Sequence, residues 1–169
     1  MILLMGEDST KIIYPYMPEG RSILYVPQEN PFMIEAEKAW REMSTDLNHP
    51  TGAVVVKDGK IIGRGANHSV FSYKPFVKLH AAGVCVRKFF KVKSGQKYWL
   101  CPGCVTNKNH AERSAIREAV SKHGAEAVKG ADLYLHGHWW CCKPCWDSMI
   151  AAGIINVYLL EGSERIYKN

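Results

Sequence analysis

The sequence predicts an α/β domain in three layers, with helices on both faces of a mixed sheet. Three observations lead there. Helix, hairpin, helix, strand, helix, strand is the order in which the segments run, and that order builds helices onto a sheet. Asp58-Gly59 between two apolar runs marks an antiparallel strand pair. At 169 residues, 47% of them hydrophobic, the chain has enough mass for one substantial core.

Residues 1–30 read as an N-terminal arm or hairpin, outside a main domain of residues 31–169. Two short β-branched and aromatic runs, Lys11–Tyr14 and Ser22–Val26, flank the turn signal Met17-Pro18-Glu19-Gly20. Such an arm is expected to pack on a neighbouring subunit or to complete a sheet edge. Met1–Met5 lacks a basic leader and gives way to Gly6-Glu7-Asp8, so no signal peptide is expected and a cytoplasmic location is. No run of eighteen apolar residues predicts a membrane partner.

Asn30-Pro31 opens a helix, because asparagine can cap and proline suits the first helical position. Ile34, Ala36, Ala39, Trp40 and Met43 are its expected buried face, and His49-Pro50 ends it. The hairpin follows: Gly52–Lys57, Asp58-Gly59, then Lys60–Gly65. Val54–Val56 is continuously apolar, which suits a central strand covered on both sides. Asn67, at the end of the second strand, sits where a ligand could reach it; as an isolated asparagine it also fits a turn.

A long insertion, residues 68–109, comes next. A helix over Pro75–Phe90 is predicted, with Phe76, Leu79, Val86 and Phe90 inward, Lys74, Lys78, Arg87 and Lys91 outward, and Ser94-Gly95 as its break. From His68 to Asn109 there is no acidic residue, but there are eight lysines and arginines, more than the chain's net charge of +6. Phe76, Phe89, Phe90, Tyr98 and Trp99 are interleaved among them. The segment is a candidate surface for a phosphate or a nucleic acid, or else a solvated basic face.

After Asn109, a capping residue, a helix starts at His110 with Ala115, Ile116, Ala119 and Val120 on its buried face and Gly124 at its end. Ala131–His136 is the third strand. Lys143–Ala152 is a helix with Pro144 at its start and Gly153 as its stop. Ile154–Leu160 is the fourth strand, and Glu161–Asn169 is too short and polar to extend the fold far.

The chemistry lies at the starts of those last two helices. His110, Cys142 and Cys145 are three nitrogen and sulfur donors of the kind zinc prefers, and a catalytic zinc keeps a fourth position open. Glu112, two residues past the histidine, is placed to move the protons of a water held there. Cysteines clustered at two-residue gaps, in a chain expected inside the cell, read as metal ligands rather than disulfides. Cys101-Pro102-Gly103-Cys104 is a second such knuckle but only half a site. Cys85 and His80, or His68, could complete it with a structural zinc; a pair of free, partly buried thiols at a turn is the alternative.

Together these residues resemble the cytidine and deoxycytidylate deaminase superfamily, whose zinc members carry His-x-Glu followed by Pro-Cys-x-x-Cys. The resemblance runs from about Ala36 to Leu160. Pro50–Asn67 is similar to the family's first hairpin, His110-Ala111-Glu112 with Ala115-Ile116 to its catalytic helix, and Cys145 to Gly153 has the family's spacing. The resemblance implies a cytidine-deaminase-like fold, catalytic zinc on His110, Cys142 and Cys145, and Glu112 as proton carrier in hydrolytic loss of an exocyclic amine as ammonia. It further implies that Asn67 binds the sugar side of the substrate, that the Ala111 backbone binds the base, and that the chain assembles as a homo-oligomer. Cys141 stands where the family usually has proline, two extra residues precede Cys142, and the family's last helix and strand are missing. The basic insertion is similar in position to that of deoxycytidylate deaminases, so a cytosine nucleotide of the dCMP kind is expected. A nucleoside, or a base within nucleic acid, is the alternative. A non-catalytic zinc-stabilised RNA-binding module is a reading of another class, against which Glu112 argues.

Overall fold

The computed structural model describes residue 13, residues 15–92 and residues 96–168. Five strands, β1 (Ile23–Val26), β2 (Gly52–Lys57), β3 (Lys60–Ala66), β4 (Asp132–His136) and β5 (Val157–Leu160), form one sheet in the order β1-β5-β4-β2-β3. β2 runs antiparallel to both β3 and β4, whereas β4/β5 and β1/β5 are parallel, so the sheet is mixed as expected. The β2–β3 turn is the Asp58-Gly59 pair, both at positive φ, which gives the twist a two-residue hairpin needs.

Alternate residues of the strands face two different helical layers. Ala53, Val55, Leu133, Leu135, Val157 and Leu159 meet α4 (Ala111–His123) and α6 (Lys143–Ala151) in the larger core. Val54, Val56, Tyr134 and Leu160 meet α1 (Pro31–Met43) on the other face. Short helices α5 (Ala125–Val128) and α7 (Ser163–Tyr167) complete the chain's main body. This period-two division is what a sheet covered on both sides requires.

Asn30 caps α1 as its sequence promised, its Oδ1 accepting from the backbone N–H groups of Phe32 and Met33. The buried face of α1 keeps Ala36 and Ala39 of the expected set and gains Met33. Met33, Ala36 and Ala39 are buried, while Ile34 and Met43 lie outward. The three- and four-residue spacing from Met33 to Ala36 and Trp40 describes the stripe, with Met33 rather than Ile34 at its start.

Three further expectations are corrected. Ile23–Val26, expected as one strand of a peripheral hairpin, adds in parallel to the edge of the main sheet beside β5, which is the sheet-edge role weighed for the arm. The partner run, Lys11–Tyr14, lies outside the described residues except for Ile13, which is in no strand. The single helix over Pro75–Phe90 is two, α2 (Lys74–Ala81) and α3 (Val86–Phe89), parted at Gly83 with φ +102°. Of its expected inward residues, Leu79, Val86 and Phe90 are exposed, whereas Arg87, expected outside, is buried. The expected break at Ser94-Gly95 lies outside the described residues.

β3 carries α4 with almost no clearance. A Cβ on Gly65 would fall within the backbone of Ser114 and Ala115, and one on Gly63 within that of Ala115 and Ala119. Only glycine lets helix and strand backbones meet directly. The first turn of α4 is thereby fixed against the strand that ends at Asn67.

Candidate metal centre

His110 and Cys142 are the residues at which α4 and α6 begin, each in extended backbone just before its helix, and Cys145 lies in the first turn of α6. His110 rather than Asn109 is thus the cap position of α4. The two helix starts face each other over the sheet end. His110 Nδ1 is 3.5 Å from Cys142 Sγ and 3.5 Å from Cys145 Sγ. Tetrahedral zinc, with bonds of about 2.3 Å to sulfur and about 2.1 Å to nitrogen, sets sulfur and nitrogen about 3.6 Å apart. The spacing of the three donors fits that ion, and Nδ1 is the His110 atom that faces both sulfurs.

The electrostatics agree with the spacing. The hydrogen bond from Cys145 holds Cys142 down at about 5, with burial opposing and His110 helping. That same bond, together with burial, pushes Cys145 up. Desolvation works to lower His110, but the Cys142 bond and Glu112 raise it.

Glu112 is buried in the first turn of α4, beside the donor set, where the helix dipole favours a carboxylate. Cys141, the residue at the family's proline position, is fully buried and kept as a thiol by desolvation and then by the charge of Glu112. It stands outside the group of donor atoms, which joins His110 to Cys142 and Cys145 alone.

Asn67 is buried and heavily engaged. Its Oδ1 accepts from Ser44 Oγ at 2.7 Å and from the Thr51 N–H at 2.9 Å, and its Nδ2 donates to the His49 carbonyl at 2.8 Å. It ties the 44–51 loop to the end of β3, with one of its two amide hydrogens used. The turn role and the ligand role weighed for it are therefore compatible. Ala111 is fully buried at the first position of α4, where a backbone N–H has no partner inside the helix.

One residue that sequence reasoning passed over stands at this centre. His138 Nδ1 accepts from the backbone N–H groups of Trp139 and Trp140 at 3.0 and 3.2 Å. Burial lowers its pKa, while the charges of Glu112 and His110 act on it from nearby. A neutral ring that accepts at Nδ1 carries its proton on Nε2. The signal for it was the pair of extra residues before Cys142, which lengthen this loop.

A second donor group lies in the insertion. His80, Cys85, Cys101 and Cys104 present four ligand atoms within 4.8 Å of one another. Of the two histidines weighed there, the structure brings in His80; His68 instead hydrogen-bonds through its backbone N–H to Asn109 O. Six cysteines are free thiols.

Residues 27–161 match the family described as the cytidine and deoxycytidylate deaminase zinc-binding region. No curated protein matches the chain. Among solved structures, the dCMP deaminase of cyanophage S-TIM5 in apo form shares 22% identity over 81% of this chain and 86% of its own, with a TM-score of 0.45. A diaminohydroxyphosphoribosylaminopyrimidine deaminase/reductase from Thermotoga maritima shares 28% over 76% of this chain and 28% of its own, at a TM-score of 0.43. Guanine deaminase from Bacillus subtilis shares 21% over 69% and 54%, at 0.38.

Proposed function

The chain belongs to the cytidine and deoxycytidylate deaminase zinc-binding family, a family of hydrolytic deaminases, and from that premise we propose that it deaminates a free cytosine nucleotide of the dCMP kind. The observation that carries the deamination is a buried Glu112 beside exactly three metal donors rather than four. His110, Cys142 and Cys145 would hold zinc, which when bound would supply the acidity that readies a water for attack near neutral pH. Glu112 takes a proton from that water and delivers it to the ring nitrogen, then carries the second to the departing amine. A carbon–oxygen bond forms, the carbon–nitrogen bond breaks, and ammonia leaves. The first N–H groups of α4, at Ala111, meet the base. The remaining amide hydrogen of Asn67 is offered to the sugar.

The preference for a nucleotide rests on the insertion, which has no acidic residue and presents Lys74, Lys78, Lys88 and Lys91 as point charges for a phosphate. A base within nucleic acid is the second reading, favoured by Phe89 and Trp99, which are 81% and 74% exposed among those lysines and available for stacking. Among the described residues no helix is long and apolar enough to cross a membrane, and six free thiols suit the reducing cytoplasm, where we place a homo-oligomeric enzyme. The test is a screen of cytosine, adenine and guanine compounds at each phosphorylation level for ammonia release. Fastest release from a cytosine 5′-monophosphate is the expected result. Inert free nucleotides, with oligonucleotides deaminated at a rate that falls steeply with salt, would replace it with the second reading.

A further inference from the structure

We propose that His80, Cys85, Cys101 and Cys104 form a second, structural zinc site, charge-balanced by Arg87, which holds the insertion together. The distances carry it. Cys85 Sγ and Cys104 Sγ are 3.7 Å apart, and Cys104 Sγ and His80 Nε2 are 3.5 Å apart. Edges of a zinc tetrahedron are about 3.8 Å between two sulfurs and about 3.6 Å between sulfur and nitrogen, from the bond lengths given above. A disulfide would need about 2.05 Å. Four donors also fill the coordination sphere, as a structural ion requires and a catalytic one does not.

The surroundings say what the ion would do. Between residues 70 and 109 the only buried positions among the described residues are Cys85, Arg87, Cys101, Gly103 and Cys104. The segment has no apolar core of its own, and its buried cluster is the three thiols with Tyr98 against them. Segments this short without a core are held by metals or disulfides. The knuckle is built for close ligation: Cys104 N–H donates to Cys101 O at 3.0 Å, and a Cβ at Gly103 would strike the His80 ring.

Arg87 is the second observation. Its Nη1 lies 3.7 Å from Cys104 Sγ, its guanidinium sits 3.8 Å over the Tyr98 ring, and its Nε donates to Gln96 O at 2.8 Å. Three thiolates, one neutral imidazole and a divalent ion sum to one negative charge. A buried guanidinium against one of the sulfurs cancels it. From this site the path to Asn67 is short: Phe71 N–H donates to Pro102 O, Ser69 Oγ to Phe71 O, and Thr45 N–H to Asn67 O, with Thr45 and Ser69 hydroxyls bonded to each other.

The full chain, purified with zinc, should hold two zinc ions per chain by native mass spectrometry. Cys101→Ser and His80→Asn should each hold one, and trypsin should then cut faster within residues 74–108. Cys142→Ser should also hold one, which separates the two sites and keeps this inference independent of the deaminase reading. Cobalt(II) bound to Cys142→Ser should show the absorption of a thiolate-rich tetrahedral ion. One zinc in the unsubstituted chain, none in Cys142→Ser, and no cobalt band there would overturn the site, whether or not any variant folds poorly.

Discussion

The two histidine–cysteine groups are built from the same side chains and differ in everything around them. His110, Cys142 and Cys145 sit at two helix starts against the larger core of the sheet, which Cys145 joins. His80, Cys85, Cys101 and Cys104 sit on short turns and helices that bury little else. The first group has three donors and an acidic neighbour, Glu112. The second has four donors and a basic neighbour, Arg87. A donor set's function is thus declared by its count and by the sign of the charge beside it. An acid next to an open position can move protons, while a base next to a closed one can only balance charge.

Four experiments press on that contrast. Exchanging Glu112 for Gln should leave both metals in place and lower turnover by about 10²–10⁴-fold, the usual worth of a general acid–base. Normal ammonia release from that variant would erase the distinction. Asn67 lies where the two regions meet, so Asn67→Ala strands the buried Thr51 N–H and removes partners of the Ser44 hydroxyl and the His49 carbonyl. Thermal melts should show a loss of about 2–4 kcal/mol, or about 4–16 °C in Tm. Arg87→Gln touches only the closed group. Competition with a chelating dye should find the second zinc bound about 10- to 100-fold more weakly, with turnover at saturating substrate unchanged.

The smallest effect belongs to the sheet itself, which is the control for both groups. His136 on β4 is buried, and its Nδ1 accepts from Trp40 Nε1 at 2.9 Å. Burial lowers its pKa, with the charge of Glu37 opposing. A depressed folded value means that the neutral ring's contribution is complete above the unfolded pKa of about 6.5 and is lost as pH falls through the lower folded one. In metal-free protein, His136→Gln should therefore flatten the decline in Tm on acidification. An unchanged slope would remove His136 from the account.

The two groups were also unequally legible. Asp58-Gly59 and the Asn30 cap are local signals that the structure keeps, and it brings His110, Cys142 and Cys145 together. Periodicity failed in the insertion, because it assumes that apolar residues mark the inside. There the inside is sulfur, so Leu79, Val86 and Phe90 point outward and Arg87 points in. β1 was legible as a strand suited to a sheet edge but its partner was not: β5 lies more than a hundred residues away, and nothing in Ile23–Val26 names it. His138 was overlooked because a loop histidine declares itself only through the amides it meets.

The glycine contact between β3 and α4 has a consequence for how this chain can diversify. At Gly63 and Gly65 strand backbone touches helix backbone, so the place of His110 and Glu112 depends on no side chain's size. The insertion leaves the sheet just after that seam, at Asn67, and ends at His110, where α4 begins. It behaves as a cassette plugged into a rigid socket. Sequence can be rewritten within it, altering what is admitted, without the reacting groups moving.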